Sequence, residues 1–264
     1  MAQKNKLALL IGINYYKNPG SKLNGCINDV KEIANMLLTY GYKNENIIIM
    51  TDDKLDKLEP TKENILQQIK IVVSKVKSGD TVFVHYSGHG SQMTDLNGDE
   101  KKNQMTPGKD DCICPCDYNK YSGSSGFISD DILKENLVNK IPVGAKLRAF
   151  FDCCHSGSIL DLEFIWKQDN VYTKDGAPEK KSDDIIMISG CKDDQTSADA
   201  WNETKRQAGG ALTMALAQTI AKTPNISWKN LALSVRSYMK TNGYTQFPLL
   251  AVSNERLGDR LIDL

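Results

Sequence analysis

The chain has 264 residues, 40% of them hydrophobic, and its 33 basic residues balance its 33 acidic ones. This length and composition suffice for one large α/β domain or two small ones with a sizeable core, and one domain is favoured. The neutral charge argues against nucleic-acid binding, and the lack of an apolar stretch of about 18 residues argues against a membrane protein.

The start of the chain and the seven cysteines both favour a cytoplasmic protein. The first residues lack the apolar run and cleavage site of a secretory signal. The odd number of cysteines, several of them in apolar segments, favours reduced thiols. Cys112, Cys114 and Cys116 could bind zinc, but they lack the paired C-x-x-C spacing of a structural site, so packing is favoured.

The first predicted strand is the continuous apolar run Lys6–Ile13, which is typical of a strand buried in a parallel sheet. An amphipathic helix follows, with Asn28 or Asp29 near its start and Gly41 as its stop. The segment Asn46–Met50 is the next predicted strand.

The same alternation of helix and strand continues along the chain. Thr61 and Asn64 open a second amphipathic helix, and Thr81–Ser87 is the third predicted strand. A short helix within residues 128–142 precedes a fourth strand, Ala145–Cys153. This rhythm predicts right-handed crossovers and a mostly parallel sheet with helices on both faces.

A polar segment divides the chain at residues 163–184. We predict a single domain over residues 1–264, with a large part (1–162), an exposed linker (163–184) and a small part (185–264). The small part is predicted to hold a strand at Ile185–Ser189, helices near Gly209–Ala221 and Trp228–Lys240, and a final extended piece, "FPLLAVS".

Two predicted strands end in polar clusters that contain Gly, Ser and His, "VHYSGHGSQ" and "FFDCCHSGS". If these strands are neighbours, their ends bring a cysteine and a histidine together. A nucleophilic thiol needs a base. His89 comes from the other strand end and can face the sulfur. The side chain of His155 points away from that of Cys154, because adjacent residues diverge along an extended chain. Cys154 lies nearer the open end than Cys153, for which packing in the core is favoured.

Glycines in the two clusters allow close approach of a substrate. Gly90 and Gly157 carry no side chain, and backbone amides at such turns can stabilise a developing oxyanion.

These clusters resemble the two active-site signatures of the metacaspases, which are caspase-like cysteine peptidases. The resemblance extends to "LLIGINYY", "LNGCINDV", "FISDDIL", "SGCKDDQTSADA" and "GGALTMAL", from Leu7 to about Leu216. It implies an α/β caspase-like three-layer sandwich and a compact type I catalytic core.

The resemblance implies a Cys-His dyad formed by His89 and Cys154, with the amides of Gly90 and Cys154 holding the oxyanion. His89 would take the thiol proton, and the thiolate would attack the substrate carbonyl to form a thioester. Metacaspases cleave protein or peptide substrates after Arg or Lys.

A cationic substrate side chain needs an acidic pocket. The positions that match the family's pocket are Cys26, Asp29, Ser87 and Asp152. Helix capping is an alternative role for Asp29. Asp152 ends an apolar strand and has no comparable structural role in the sequence, so a pocket role is favoured for it.

Many metacaspases need calcium, which binds carboxylate oxygens. The matching positions are Asp110, Asp130, Asp131 and Asp161, with Ca²⁺ as an activator that takes no part in the bond chemistry. This chain departs from the family pattern at "GDEKKNQMTPGKDD", so Asp111 remains an alternative to Asp110. Helix capping is the alternative role for Asp130 and Asp131.

The resemblance also implies a zymogen that processes itself, works as a monomer and takes part in programmed cell death. Candidate cleavage sites are Lys167, Lys174, Lys180 and Lys181 in the linker. The alternative is a calcium-responsive, non-catalytic scaffold or binding protein that keeps the caspase-like fold; the presence of both Cys and His argues against it. A flavodoxin-like binding domain is disfavoured, because the first strand-helix turn lacks a phosphate-binding glycine loop.

Overall fold

The structure, a computed structural model, describes residues 4–53, 58–95, 108–166, 171–176, 178, 181–190, 199–202 and 207–264. The strands are β1 (Lys6–Gly12), β2 (Ile47–Thr51), β3 (Thr81–Ser87), β4 (Gly90–Thr94), β5 (Lys109–Ile113), β6 (Ile128–Ser129), β7 (Lys146–Asp152), β8 (Phe164–Trp166), β9 (Tyr172–Lys174), β10 (Ile185–Ser189), β11 (Asp199–Asn202), β12 (Gln207–Gly210) and β13 (Leu249–Val252). The helices are α1 (Cys26–Thr39), α2 (Lys62–Lys75), α3 (Asp130–Asn136), α4 (Ala211–Lys222) and α5 (Trp228–Thr241).

Within the described residues, eight strands form the central sheet, in the order β2-β1-β3-β7-β10-β13-β8-β9. The five strands from β2 to β10 in this order run parallel, and the last three are antiparallel to their neighbours. The prediction of an α/β fold with a mostly parallel central sheet is confirmed. Two small sheets, β4-β5-β6 and β11-β12, were not predicted from the sequence.

Each face of the central sheet carries its own hydrophobic core, because successive strand residues point to opposite sides. Leu9 and Ile11 of β1 pack with α2 and α3 on one face. Ala8 and Leu10 pack with α1, α4 and α5 on the other. Helices therefore cover both faces, which gives the predicted three layers. No helix in the described part of the chain has the length and apolar character needed to cross a membrane.

Hydroxyl side chains start three of the helices. Thr61, Ser129 and Ser227 each accept a hydrogen bond from the backbone amide three residues later, at 3.2 to 3.4 Å. Such a cap typically contributes about 1 kcal/mol.

The capping alternatives raised for three aspartates do not match the structure. Gly25 and Ser129 occupy the N-cap positions of α1 and α3. Asp29, Asp130 and Asp131 lie in the first helical turns, and the Asp130 carboxylate accepts a hydrogen bond from the Asp131 amide at 2.8 Å.

Residues 163–184 differ from the predicted exposed linker. Ile165 and Trp166 of β8 are buried, and β8 pairs with β13. The Arg236 guanidinium lies 4.9 Å from the centre of the Trp166 ring, a cation-π contact that anchors β8. A three-residue strand in a polar segment is too short to show a period, so the sequence pattern missed it.

His85 is a fully buried ionisable group in the middle of β3. Its Nδ1 lies 3.1 Å from the Phe150 carbonyl oxygen, and Nε2 has no hydrogen-bond partner among the described residues. Burial lowers the pKa of His85 to about 4, because the charged ring would lose its hydration.

We expect acid to destabilise the protein through His85. The unfolded chain takes up this proton below pH of about 6.5, well before the folded chain does, so folding free energy is lost as the pH falls towards 4. Between pH 7 and 5 the loss from this group is about 2 kcal/mol. Urea unfolding of the wild type and of His85→Gln at both pH values checks this. The free energy of unfolding should fall less in the variant than in the wild type between pH 7 and 5. Equal losses in the two proteins would contradict the assignment.

Candidate active site

The carboxyl ends of β3 and β7 lie side by side at one edge of the central sheet. The two strands are parallel neighbours, and their last paired residues are Ser87 and Asp152. His89 and Cys154 follow two residues later on each strand. The two histidine- and cysteine-containing clusters of the sequence therefore leave the sheet at the same edge.

Backbone contacts continue beyond the last paired residues. The Gly88 amide donates a hydrogen bond to the Asp152 carbonyl oxygen at 3.4 Å. A Cβ atom placed on Gly90 would lie only 1.8 Å from the Cys154 carbonyl oxygen. The chain on either side of His89 therefore runs against the end of β7, and a side chain at position 90 would separate the two segments.

The His89 ring is held in one orientation. Its Nε2 lies 2.7 Å from the Ser21 carbonyl oxygen, which can only accept a hydrogen bond, so Nε2 carries the proton. The Tyr15 ring lies 4.6 Å from the His89 ring, centre to centre. The remaining nitrogen, Nδ1, is left as the proton acceptor that a general base requires.

The two adjacent thiols have different surroundings. Cys153 is fully buried in the hydrophobic core, whereas Cys154 is half-buried. The Ser156 hydroxyl donates a hydrogen bond to the Cys153 carbonyl oxygen at 2.9 Å, which stabilises the turn after β7. Of the two thiols, only Cys154 has the solvent access that a nucleophile needs.

Backbone strain concentrates around this edge of the sheet. Among the described non-glycine residues, positive φ occurs at Tyr15 (55°), His155 (46°) and Asp161 (51°). Such conformations cost on the order of 1 to 3 kcal/mol each and persist where surrounding contacts enforce them. Tyr15 follows β1, and the other two follow β7, so the strain lies in loops at the strand ends.

The Gly90 amide is suited to an oxyanion. Gly90 pairs with Ile113 of β5, and the Cys114 amide donates to the His89 carbonyl oxygen at 3.1 Å beside this pair. In an antiparallel ladder, a residue next to such a bonded pair points its amide away from the partner strand. The ladder therefore does not use the Gly90 N–H, which fits the role predicted for it.

Two buried carboxylates approach each other at the start of α4. The Asp29 carboxylate accepts hydrogen bonds from the Ser87 hydroxyl at 2.7 Å and from the Gly210 amide at 2.8 and 3.0 Å. A Cβ atom on Gly210 would lie 2.1 Å from Asp152 Oδ2 and 2.9 Å from Asp29 Oδ2. Three of the four predicted pocket residues therefore lie together, separated by a glycine.

Cys26, the fourth predicted pocket residue, is the first residue of α1 and is buried. Its amide donates to Asn14 Oδ1 at 3.1 Å, and a Cβ atom on Gly12 would lie 2.6 Å from its carbonyl oxygen. Cys26 thus packs the start of α1 against the end of β1.

Asp152 has a structural role that the sequence did not reveal. Its Oδ2 accepts hydrogen bonds from the Thr213 amide and hydroxyl, both at 2.9 Å. The N-cap of α4 is Gly210, which offers no side chain, so Asp152 supplies the acceptor from across the fold. Asp152 therefore caps α4, and the prediction that it has no structural role is wrong. A carboxylate has about four acceptor sites, so capping leaves room for a substrate contact.

Acidic side chains also cluster beside α3. Carboxylate oxygens of Asp110, Asp130 and Asp131 lie within 4.8 Å of one another. Burial and the nearby charge of Asp161 raise the pKa of Asp130 to about 9. A donor set made only of oxygens fits a hard cation such as Ca²⁺, which would relieve the repulsion among the carboxylates.

Asp111, the alternative ligand, faces a different group of residues. Its carboxylate accepts hydrogen bonds from the Ser158 hydroxyl at 3.1 Å and from Gln92 Nε2 at 3.1 Å. Its amide donates to Asp130 Oδ2 at 2.7 Å. Asp111 therefore connects the acidic cluster with the loop that follows Cys154.

The cysteine cluster does not resemble a zinc site. Cys112, Cys114 and Cys116 are all buried. Burial raises the pKa of Cys114 and of Cys116 to about 12, so both stay protonated at neutral pH, as expected of thiols packed in the core.

Several residues at this edge were missed in the sequence. The Ser21 carbonyl oxygen that orients His89 has no sequence signature, because every residue has a carbonyl. Gly210 and Thr213 lie in the motif "GGALTMAL", which does not reveal their contacts with Asp29 and Asp152. The pairing of Asp111 with Ser158 joins residues far apart in sequence, and no local pattern indicates it.

Comparisons with known proteins agree with the resemblance noted in the sequence. A family model described as "Metacaspase, peptidase C14 domain" matches residues 6–163. Metacaspase-1A of Aspergillus oryzae is 37% identical over 97% of this chain and 69% of its own length. Metacaspase-1A of Neurospora crassa is 36% identical over 94% of this chain and 62% of its own length. Metacaspase-2 of Trypanosoma brucei brucei is 36% identical over 93% of this chain and 72% of its own length.

One solved structure gives the same architecture. The crystal structure of protein GSU0716 from Geobacter sulfurreducens aligns with a TM-score of 0.67 and covers 97% of both chains, at 22% sequence identity. At this level of identity the similarity concerns the fold alone.

Proposed function

The chain belongs to the metacaspase family of cysteine-type peptidases, and we propose that it is an endopeptidase that cleaves after Arg or Lys. The meeting of the β3 and β7 ends carries this proposal, because it brings His89 and Cys154 to one edge of the sheet. The buried carboxylates of Asp29 and Asp152 lie at the same edge.

In this proposal His89 and Cys154 form the catalytic dyad. His89 Nδ1 takes the proton from Cys154 Sγ, and the thiolate attacks the substrate carbonyl carbon. The amides of Gly90 and Cys154 stabilise the oxyanion. The C–N bond then breaks, the amine leaves with the proton from His89, and water hydrolyses the thioester.

The preference for Arg or Lys rests on charge. Asp29 and Asp152 are each less than 4% exposed, so water screens their charge weakly. A guanidinium or ammonium group that contacts these carboxylates would gain charge-assisted hydrogen bonds. Ser87 supports this arrangement by donating a hydrogen bond to Asp29.

Calcium activation is a further part of the proposal. The ligands would be Asp110, Asp130 and Asp131, with Asp161 beside them. The ion would supply positive charge that holds these carboxylates together. The Asp130-Asp111-Ser158 hydrogen bonds offer a physical connection from these ligands to the loop that follows Cys154.

We also propose self-cleavage in the segment that follows β9. Lys174 lies in β9, which pairs with β8, and its ammonium group forms an ion pair with Glu163 at 2.7 Å. Cleavage after Lys174 would require both contacts to break first. Lys181 is exposed and lies outside the strands. Lys167 and Lys180 lie outside the described residues. Since β8 pairs with β13 of the small part, both fragments would stay together after a cut.

The assay that tests the proposed function compares peptide substrates with Arg, Lys or a neutral residue before the scissile bond. Cys154→Ala should abolish cleavage of all of them. Asp152→Asn can still accept the Thr213 hydrogen bonds but loses its charge, so kcat/KM on Arg peptides should fall about 100-fold, with little change for a neutral residue. Asp53→Asn, an exposed site, is the matched control. Full activity of Cys154→Ala, or equal losses on all substrates, would refute the proposal.

We expect Ca²⁺ binding at neutral pH to release about one proton, because the pKa of Asp130 is raised to about 9 and the bound form requires its carboxylate. Calorimetric titration in two buffers with different ionisation enthalpies measures this release. Asp130→Asn should bind more weakly and release no proton, whereas Asp53→Asn should match the wild type. Binding by the wild type without proton release would be incompatible with the site.

Exposure of the active protein to calcium should produce two fragments, with a cut between β9 and β10. Mass spectrometry identifies the new ends, and Cys154→Ala should remain intact. The double variant Lys180→Gln/Lys181→Gln should be cut much more slowly than Lys174→Gln. The fragments should co-elute in native size-exclusion chromatography. An intact chain after full activation would argue against this part of the proposal.

A further inference from the structure

Two buried phenol groups meet beside His89. Tyr15 and Tyr86 are each at most 1% exposed, and their hydroxyl oxygens lie 3.1 Å apart. Tyr15 comes from the loop after β1, and Tyr86 from β3 itself. Neither residue was assigned a role by the sequence.

The two hydroxyls hold both polar groups of the His89 backbone. The His89 amide donates to Tyr15 Oη at 2.8 Å, and Tyr86 Oη donates to the His89 carbonyl oxygen at 2.7 Å. Tyr15 Oη donates its own proton to the Cys114 carbonyl oxygen at 2.7 Å. Tyr86 Oη also lies 3.1 Å from the Cys114 carbonyl oxygen, so His89 O is the nearer of its two carbonyl acceptors. The two hydroxyls thus contact the peptide groups on both sides of His89.

Tyr15 also limits rotation of the His89 ring. The Tyr15 ring contacts the His89 imidazole at 4.6 Å between ring centres, and the Ser21 carbonyl oxygen accepts a hydrogen bond from Nε2 at 2.7 Å. Tyr15 thus contacts both the backbone and the side chain of His89. Rotation of His89 would break several contacts at once.

A glycine makes this arrangement possible. A Cβ atom on Gly88 would lie 2.6 Å from Tyr86 Oη and 3.0 Å from Tyr15 Oη. Any other residue at position 88 would push the hydroxyls away from the His89 backbone.

The phenols do not act as bases themselves. Burial raises the pKa of both Tyr15 and Tyr86 well above the usual value, so both stay protonated at physiological pH. They can therefore act on the reaction only through hydrogen bonds and packing.

From these contacts we propose that Tyr15 and Tyr86 are positioning residues, which hold His89 in the orientation that lets Nδ1 take the Cys154 proton. This inference rests on the proposed function, because the proposed function assigns the catalytic dyad to His89 and Cys154. It predicts that loss of either hydroxyl slows proton transfer without weakening substrate binding.

The test uses Tyr15→Phe and Tyr86→Phe, which remove one oxygen each and keep the rings. The matched control is Tyr42→Phe, because Tyr42 is buried in the other core and its hydroxyl has no hydrogen-bond partner among the described residues. Two assays are run on each protein. The first measures kcat and KM on an Arg peptide. The second measures the rate at which iodoacetamide alkylates Cys154 at pH values between 5 and 9, with peptide mass spectrometry as the readout.

We expect kcat to fall about 10- to 100-fold in both test variants, with KM within about twofold, because small misplacements of a base have effects of this size. Alkylation near neutral pH should fall by a similar factor and recover at high pH, where the thiol ionises without help. The double variant should lose less than the product of the single losses, because both hydroxyls act on one residue. Tyr42→Phe should match the wild type.

Folded test variants with wild-type kcat and wild-type alkylation would overturn the proposal. So would a loss of kcat without any change in alkylation, since the defect would then lie outside the dyad. If a test variant does not fold, Gly88→Ala keeps both tyrosines and should reproduce the loss, and wild-type behaviour of that variant would also count against the proposal. Alkylation needs no substrate, so a wild type that reacts with iodoacetamide but cleaves no basic peptide would refute the proposed specificity alone.

Discussion

The parallel pairing of β3 with β7 is the constraint on which the rest of the site depends. Parallel neighbours end at the same edge of a sheet, and the register that joins Ser87 to Asp152 sets how far each chain extends beyond it. His89 and Cys154 leave the sheet together for this reason. A reversed strand would place the two residues at opposite edges of the sheet, and a more distant parallel strand would separate them sideways along the same edge.

Other parts of the chain are arranged around this edge by long-range hydrogen bonds. Asp152 accepts from the first turn of α4, and Asp29 of α1 accepts from Gly210. Asp111 joins the acidic cluster to the loop after β7 through Ser158. These three buried carboxylates therefore serve the packing as well as the site, because a buried carboxylate without partners would be costly.

Much of this arrangement follows from sequence patterns, because continuous apolar runs identify buried parallel strands. Lys6–Ile13, Thr81–Ser87 and Ala145–Cys153 were predicted as strands and correspond to β1, β3 and β7. His89 was favoured over His155 as the facing base because sequence neighbours diverge along an extended chain, and the ends of β3 and β7 lie at one edge of the sheet.

Long-range and backbone interactions account for what the sequence did not reveal. β8 was missed because its burial depends on pairing with β13 and on Arg236, which lies 70 residues away from Trp166. The capping role of Asp152 depends on Thr213, which is 61 residues away. The Ser21 contact with His89 is made by a backbone carbonyl oxygen, which every residue has, so no residue type in the sequence indicates it. Sequence periodicity reports the faces of an element but not its distant partners.

The most direct measurement of the central claim is the rate at which iodoacetamide modifies Cys154 in the wild type and in His89→Ala near neutral pH. If the two strand ends hold this imidazole against this thiol, the variant should react at least about tenfold more slowly, while the difference disappears at high pH. Equal rates at neutral pH in two folded proteins would mean that His89 does not act on Cys154, and the account of the site would be wrong.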